Sequence, residues 1–206
     1  GRDPTLQPGG SESYSRASGR AALAAGYEPH LFCVGTETRT ETTPFGVVHC
    51  VRSPFRPLRG LMVAAHQPYI VNAIARFLEQ RRPQRGASAL IHSLGNWNGV
   101  GAAAARRLTR MGIACKTVAT VFSTYNHETR GKLRGVDRPH GVRARLELRW
   151  EMLWTQLTVD PSERRGLRAS DLVLTNYDSV RRIVDAEFGP GLRFGKITYA
   201  SEMAFL

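Results

Sequence analysis

Apolar residues along this chain fall into short continuous runs, which suit buried strands, and sets spaced by three and four, which suit helices. Gly9-Gly10-Ser11-Glu12 opens a segment in which Tyr14, Ala17, Ala21 and Ala25 recur at helical spacing, and Gly26 supplies a left-handed stop. His30 to Val34 and Val47 to Val51 predict two short buried strands, with a polar turn from Thr36 to Thr43 between them. Pro68 predicts the start of a second helix, carrying Ile70, Val71, Ile74, Phe77 and Leu78 on one face and closed by Arg81-Arg82-Pro83. Ala89 to Leu94 is the next strand. The turn Gly95-Asn96-Trp97-Asn98-Gly99 leads into an alanine-rich helix, Val100 to Met111, that stops at Gly112, and Val118 to Phe122 follows as strand.

From His127 to Val142 the chain is rich in Gly, Arg, His and Pro without apolar periodicity, so a long mobile loop is expected there. Arg143 to Leu157 predicts an amphipathic helix with Leu146, Trp150, Leu153, Trp154 and Leu157 at helical spacing, its tryptophans expected in the core. Asp171 to Thr175 reads as strand, Ser179 to Phe188 as helix and Lys196 to Tyr199 as a last strand. This alternation predicts an α/β fold, a Rossmann-like doubly wound parallel sheet, formed by 1–206 as a single domain. In such sheets a glycine turn follows a strand, and Gly1 to Pro8 are too polar to be one. A first strand upstream of Gly9 is therefore expected.

Charge changes the picture more than composition does. A net charge of +12 creates a field that attracts phosphate-bearing partners: nucleotides, anionic lipid or nucleic acid. The arginine excess also fits a GC-rich genome. No apolar run approaches the roughly 18 residues of a membrane span, and no signal peptide opens the chain, so a cytoplasmic protein is expected. Cys33, Cys50 and Cys115 stand far apart in sequence without a Cys-x-x-Cys pair and read as buried thiols. The six histidines lack metal-ligand spacing, so no metal or other cofactor is expected.

Ligands of an open parallel sheet bind at the carboxyl ends of its strands. Gly9 and Gly10 precede a helix N-terminus, where free N–H groups and the helix dipole favour a phosphate. His92 ends one strand, with Asn96 in the turn beyond it. Ser123, Tyr125, His127 and Glu128 follow the next strand, and Asn176 and Tyr177 a later one. The dinucleotide, P-loop and nucleophile-elbow motifs are all absent, which argues against dehydrogenases, P-loop NTPases and α/β-hydrolases.

Pro8-Gly9-Gly10-Ser11-Glu12 with Tyr14, and the helix end Ala24-Ala25-Gly26-Tyr27-Glu28, resemble the opening of retaining family-4 (group 1) glycosyltransferases. Ile91-His92-Ser93, Thr120-Val121-Phe122-Ser123, Ala169-Ser170-Asp171-Leu172-Val173-Leu174-Thr175-Asn176 with Ser179, and Gly189 with Lys196-Ile197 resemble later segments of that family in the same order. The resemblance implies the N-terminal, acceptor-side half of a GT-B fold, with the donor-binding domain absent and the chain inactive alone. It implies a nucleotide-sugar donor and transfer with retention to an acceptor of unknown identity. The basic residues Arg130, Lys132, Arg134 and Arg138 of the expected loop suit an anionic or lipid-linked acceptor, or peripheral contact with the inner membrane face. Gly10, with Gly9, matches the loop that approaches the donor diphosphate, and His92 a cleft-lining position. Many members place a histidine where this chain has Ser123, so the catalytic candidates are His92 and either Ser123 with a water or His127. Asn96, Tyr125, Glu128, Asn176 and Tyr177 are the cleft-lining candidates.

Two other readings remain open. A sugar-nucleotide epimerase of the same architecture would need carboxylates at the nucleotide cleft, for which Glu128 and Glu202 are the candidates. A basic nucleic-acid-binding module would explain the charge, yet no helix-turn-helix, RNP or zinc pattern accompanies it, and no specific nucleic acid is expected as partner.

Overall fold

The computed structural model describes residues 3–5, 9–55, 63–81, 89–134 and 141–197. Its strands form two sheets. In the first, β1 (His30–Gly35) pairs in parallel with β3 (Gly46–Arg52), and β2 (Arg39–Thr43) pairs antiparallel with the other side of β3. In the second, β4 (Ala89–Leu94), β5 (Cys115–Val121), β6 (Leu172–Thr175) and β7 (Phe194–Lys196) lie side by side, all parallel. Tyr199, expected in the last strand, lies outside the described residues, as does Glu202. β1 and β4 are edge strands, and no described residue pairs with their free sides.

Helices cover both faces of the first sheet, as the alternation predicts. Helix α1 (Gly10–Ala24) ends where expected: Gly26 takes φ +80° and the Tyr27 N–H returns to the Ala22 carbonyl at 2.9 Å. It approaches the first sheet through Gly19, which lies against the Phe45 carbonyl, while Ala21 and Ala25 stay exposed. Phe45 packs with Cys33, Val48 and Cys50 on that face. On the opposite face, Phe32 and Val34 meet Ile70, Val71 and Ile74 of α2 (Val63–Arg81). There His30 Nδ1 lies 3.0 Å from His49 Nε2, with the Phe77 ring tilted against both imidazoles.

Because β4 to β7 follow chain order, right-handed crossovers put their helices on one face. Ile91 packs with Ala104 and Leu108 of α3 (Asn98–Arg110), which follows a 3₁₀ turn at Gly95–Trp97. Ala119, Val121 and Val173 pack with Leu167 of α6 (Asp160–Arg168) and with Val180, Val184 and Phe188 of α7 (Asp178–Phe188). The other face carries Leu90 and His92, both exposed. Helices α3 and α6 cross at glycines: a Cβ on Gly166 would stand 2.4 Å from the Asn98 carbonyl carbon.

Several sequence expectations need correction. The Thr36 to Thr43 turn is partly strand β2, because β-branched Thr40, Thr42 and Thr43 suit a pleated edge and the Thr43 hydroxyl closes the hairpin on the Gly46 carbonyl at 2.6 Å. Pro68 lies inside α2 instead of starting it. Side chains hold the turn before it: His66 Nδ1 sits 2.7 Å from Ser53 Oγ and Gln67 Nε2 donates to Ser162 Oγ at 2.7 Å. That support offsets the backbone bond that proline cannot donate.

The expected loop from His127 is helix α4 (Tyr125–Arg134); the part from 135 to 140 lies outside the described residues. Thr124 Oγ1 accepts the His127 N–H at 3.1 Å, an N-cap that apolar periodicity cannot reveal. Beyond it, α5 (Val142–Trp154), a π turn (Thr155–Val159) and α6 run on as one helical path. The wide turn precedes Pro161, which has no N–H to offer. Trp150 is 62% exposed, so its expected core role fails.

Candidate active site

The side chains best joined toward the carboxyl ends of the strands are Tyr14, His92 and Thr120. Thr120 Oγ1 lies 2.7 Å from His92 Nε2 and 3.1 Å from the Tyr14 hydroxyl, so one hydroxyl bridges phenol and imidazole. The Tyr14 ring stands edge-on to His92, centroids 5.9 Å apart, and to Phe122 at 5.0 Å. β-Sheet register explains the meeting: His92 is paired with Val118, two residues before Thr120 on the same face. Desolvation holds the His92 pKa below the ordinary histidine value. The ring is open to solvent on one side and packed against Tyr14 and Thr120 on the other. A neutral imidazole at this edge can accept or donate a single hydrogen bond without carrying charge. Accordingly, the His92 ring resonances are expected to stay flat in an NMR titration from pH 8 down to pH 6; a midpoint near 6.5 would contradict the assignment.

Gly9 and Gly10 sit one helical turn before Tyr14. Gly9 is the extended N-cap of α1 and its carbonyl accepts the Ser13 N–H at 2.8 Å. Glu12 folds over it: a Cβ on Gly9 would lie 2.2 Å from Glu12 Oε2, which accepts from Ser11 Oγ at 2.9 Å. Glu12 is buried and its Oε1 has no partner among the described residues. The protein's own carboxylate thus stands at the positive end of α1, in the place a phosphate would take.

The corner after β5 is held from three helices. Thr124 donates to Glu187 Oε2 of α7 at 2.5 Å, the Tyr125 N–H to Glu163 Oε2 of α6 at 3.4 Å, and the Tyr125 hydroxyl to Glu151 of α5 at 3.1 Å. Glu163 is fully buried, and desolvation pushes its pKa up to about 8. Ser123 Oγ turns to the Thr124 carbonyl at 3.3 Å, while His127 and Glu128 stand exposed on the first turn of α4. Asn96 lies in the 3₁₀ turn after β4. Tyr177 is exposed beside α7, and Asn176 Oδ1 is buried with no partner among the described residues. The structure therefore joins His92 to α1 through Thr120, while Ser123 and His127 bond instead to Thr124.

Sequence reasoning passed over Thr120, Glu12 and Glu163. Threonine in a strand and glutamate in a helix are ordinary there, and only the tertiary contacts single them out. A cavity of about 340 Å³ between α4, the π turn, α6 and α7 is lined by Asn126, Arg130, Asp160, Arg164 and Glu187. Cys33 and Cys50 are buried free thiols, as expected, whereas Cys115 is only half-buried. Parallel register sets Cys33 against Cys50, with the sulfurs 3.0 Å apart and Asp3 Oδ2 3.1 Å from Cys50 Sγ. These three groups have the proximity of metal ligands, yet Arg39 already bonds Asp3, and burial pushes both thiols up, away from the thiolate a metal needs.

Comparison with known proteins agrees with this topology. Sucrose-phosphate synthase from Thermosynechococcus elongatus superposes with a TM-score of 0.66 at 16% identity, over 95% of this chain and 45% of that one. A second structure of that synthase, spanning its segments 27–220 and 406–426, gives 0.58 at 15% identity, over 91% of this chain and 84% of that one. The chain thus spans less than half the length of the first of these. No curated protein sequence matches. The profile described as "Glycosyl transferase 4-like domain" matches residues 9–199. With that match running from the Gly-Gly turn through the last strand, the chain belongs to the glycosyl transferase 4-like domain family.

Proposed function

We propose that this chain is the acceptor-side half of a GT-B glycosyltransferase that moves a sugar from a nucleotide-sugar donor to an anionic acceptor with retention, in the cytoplasm and without a metal. The observation that carries the reading is the bridge from Tyr14 through Thr120 to His92 beside the N-terminus of α1. It gathers, at one sheet edge, a helix dipole for a diphosphate and a neutral imidazole for a sugar hydroxyl. As the nucleoside diphosphate departs it gains negative charge, and N–H groups fixed at Gly10 and beyond stabilise that charge without reorganising. Glu12 would have to swing aside, so diphosphate binding and release of the Glu12 carboxylate are one event.

The 206-residue chain alone is expected to transfer no sugar, since half of the proposed cleft would come from a second domain. In the chain joined to a donor-binding domain, Gly10→Val is expected to abolish transfer while circular dichroism stays unchanged. Product analysis by mass spectrometry, with and without acceptor, checks both points. Turnover by the isolated chain, or full activity in Gly10→Val, would refute the reading; an isomerised sugar without acceptor would point to epimerisation instead.

A further inference from the structure

Helix α5 is apolar on two sides. Ala144, Leu148 and Met152 are half-buried toward the domain, along with Glu151, which binds Tyr125. Val142, Leu146, Trp150, Leu153 and, in the π turn, Leu157 are exposed by 75, 59, 62, 46 and 67%. At about 100° per residue these five fall within an arc of roughly 80° and make one stripe. Arg145 and Arg149 border the stripe on one side; on the other stands Arg143, its side chain 94% exposed and ion-paired with Glu147 at 3.0 Å. A contiguous row of large apolar side chains is a contact surface, unlike single exposed leucines scattered over a protein.

We infer that this stripe lays the protein on an anionic membrane surface, with α5 in the plane of the interface. Trp150 and the aliphatic side chains enter the boundary between headgroups and acyl chains, and Arg145 and Arg149 meet lipid phosphates. Charge selects this occupant. A chain of net charge +12 is drawn to an anionic surface, whereas a second copy would bring Arg143, Arg145 and Arg149 against themselves in a two-fold contact. None of the described helices is long and apolar enough to cross a membrane, so contact of this kind is peripheral. The Tyr125–Glu151 hydrogen bond ties the docked helix to the corner after β5, which would bring the candidate cleft near the lipid surface. Docking itself requires no sugar transfer, so the two readings fail separately.

The test is co-sedimentation of the 206-residue chain with vesicles of phosphatidylcholine, with and without about a third phosphatidylglycerol. Binding is expected to the anionic vesicles, with release as salt rises and quenching of tryptophan emission by brominated lipid. Trp150→Ser with Leu153→Ser is expected to lower partitioning about tenfold or more, from the apolar area withdrawn, with the far-ultraviolet spectrum unchanged. Arg145→Gln with Arg149→Gln is expected to weaken binding to anionic vesicles severalfold and to flatten its salt dependence. Absence of vesicle binding, or serine variants that bind like the parent chain, would overturn the inference. So would a dimer that the serine substitutions convert to monomer, which would assign the stripe to a subunit contact.

Discussion

Glu163→Gln is expected to raise the free energy of unfolding by a few kcal/mol near pH 8 and to leave it almost unchanged near pH 5. The Glu163 carboxyl, fully buried in α6, is raised from 4.5 to about 8 by desolvation, with Asp160, Glu187 and Glu128 adding smaller effects of the same sign. Its unfolded counterpart ionises from about pH 4.5 upward, while the folded one stays protonated until about pH 8. The native state therefore holds its proton more tightly, and stability falls as pH rises through that window, levelling off above it. Glutamine keeps the acceptor for the Tyr125 N–H and never ionises, so it removes the slope. Urea denaturation at the two pH values measures the difference. An equal gain at both would show that Glu163 is not a buried neutral acid.

The second large effect is steric. Gly166→Ala is expected to cost about 3 kcal/mol, lowering Tm by about 6–12 °C for a chain of this size. Its Cβ would meet the Asn98 carbonyl carbon at 2.4 Å and the Gly99 nitrogen at 2.5 Å, both backbone atoms that cannot rotate away. Relief requires α3 and α6 to separate, which would loosen the buried Asn98 beneath the turn after β4. Gly131→Ala in α4 is the control, because nothing lies within 4 Å of its Cβ position and the change favours helix. Differential scanning calorimetry of the pair separates crowding from propensity. Equal melting temperatures would place no close contact at Gly166.

What the sequence reveals here is apolar burial and its punctuation. The strands β1, β3, β4, β5 and β6 stand out as apolar runs, and Gly26, Gly112 and Gly189, which end α1, α3 and α7, all adopt positive φ as their positions demand. Elements stabilised by polar burial escape this reading. Helix α4 buries Asn126 and Thr129, and α6 buries Ser162 and Glu163, so neither displays an apolar stripe. Helix α5 misleads in the opposite direction, since its periodic tryptophan and leucines face outward. The candidate site divides in the same way. Gly10 and His92 can be located because turns after strands are where ligands bind, whereas Thr120 matters only through a hydroxyl placed by β4–β5 register, and Glu12 only through the way it folds over Gly9. The Cys33–Cys50 approach is likewise a property of register, invisible across the intervening hairpin.

The free sides of β1 and β4 bear on how a sample of this chain ages. Each presents a row of amides and carbonyls with no described partner, a template onto which any extended segment can add. Mutual repulsion at +12 is the brake on such templating, and salt screens it beyond about 10 Å at 0.1 M. Storage in high salt therefore shortens the shelf life of a concentrated stock, and a dilute, low-salt buffer extends it.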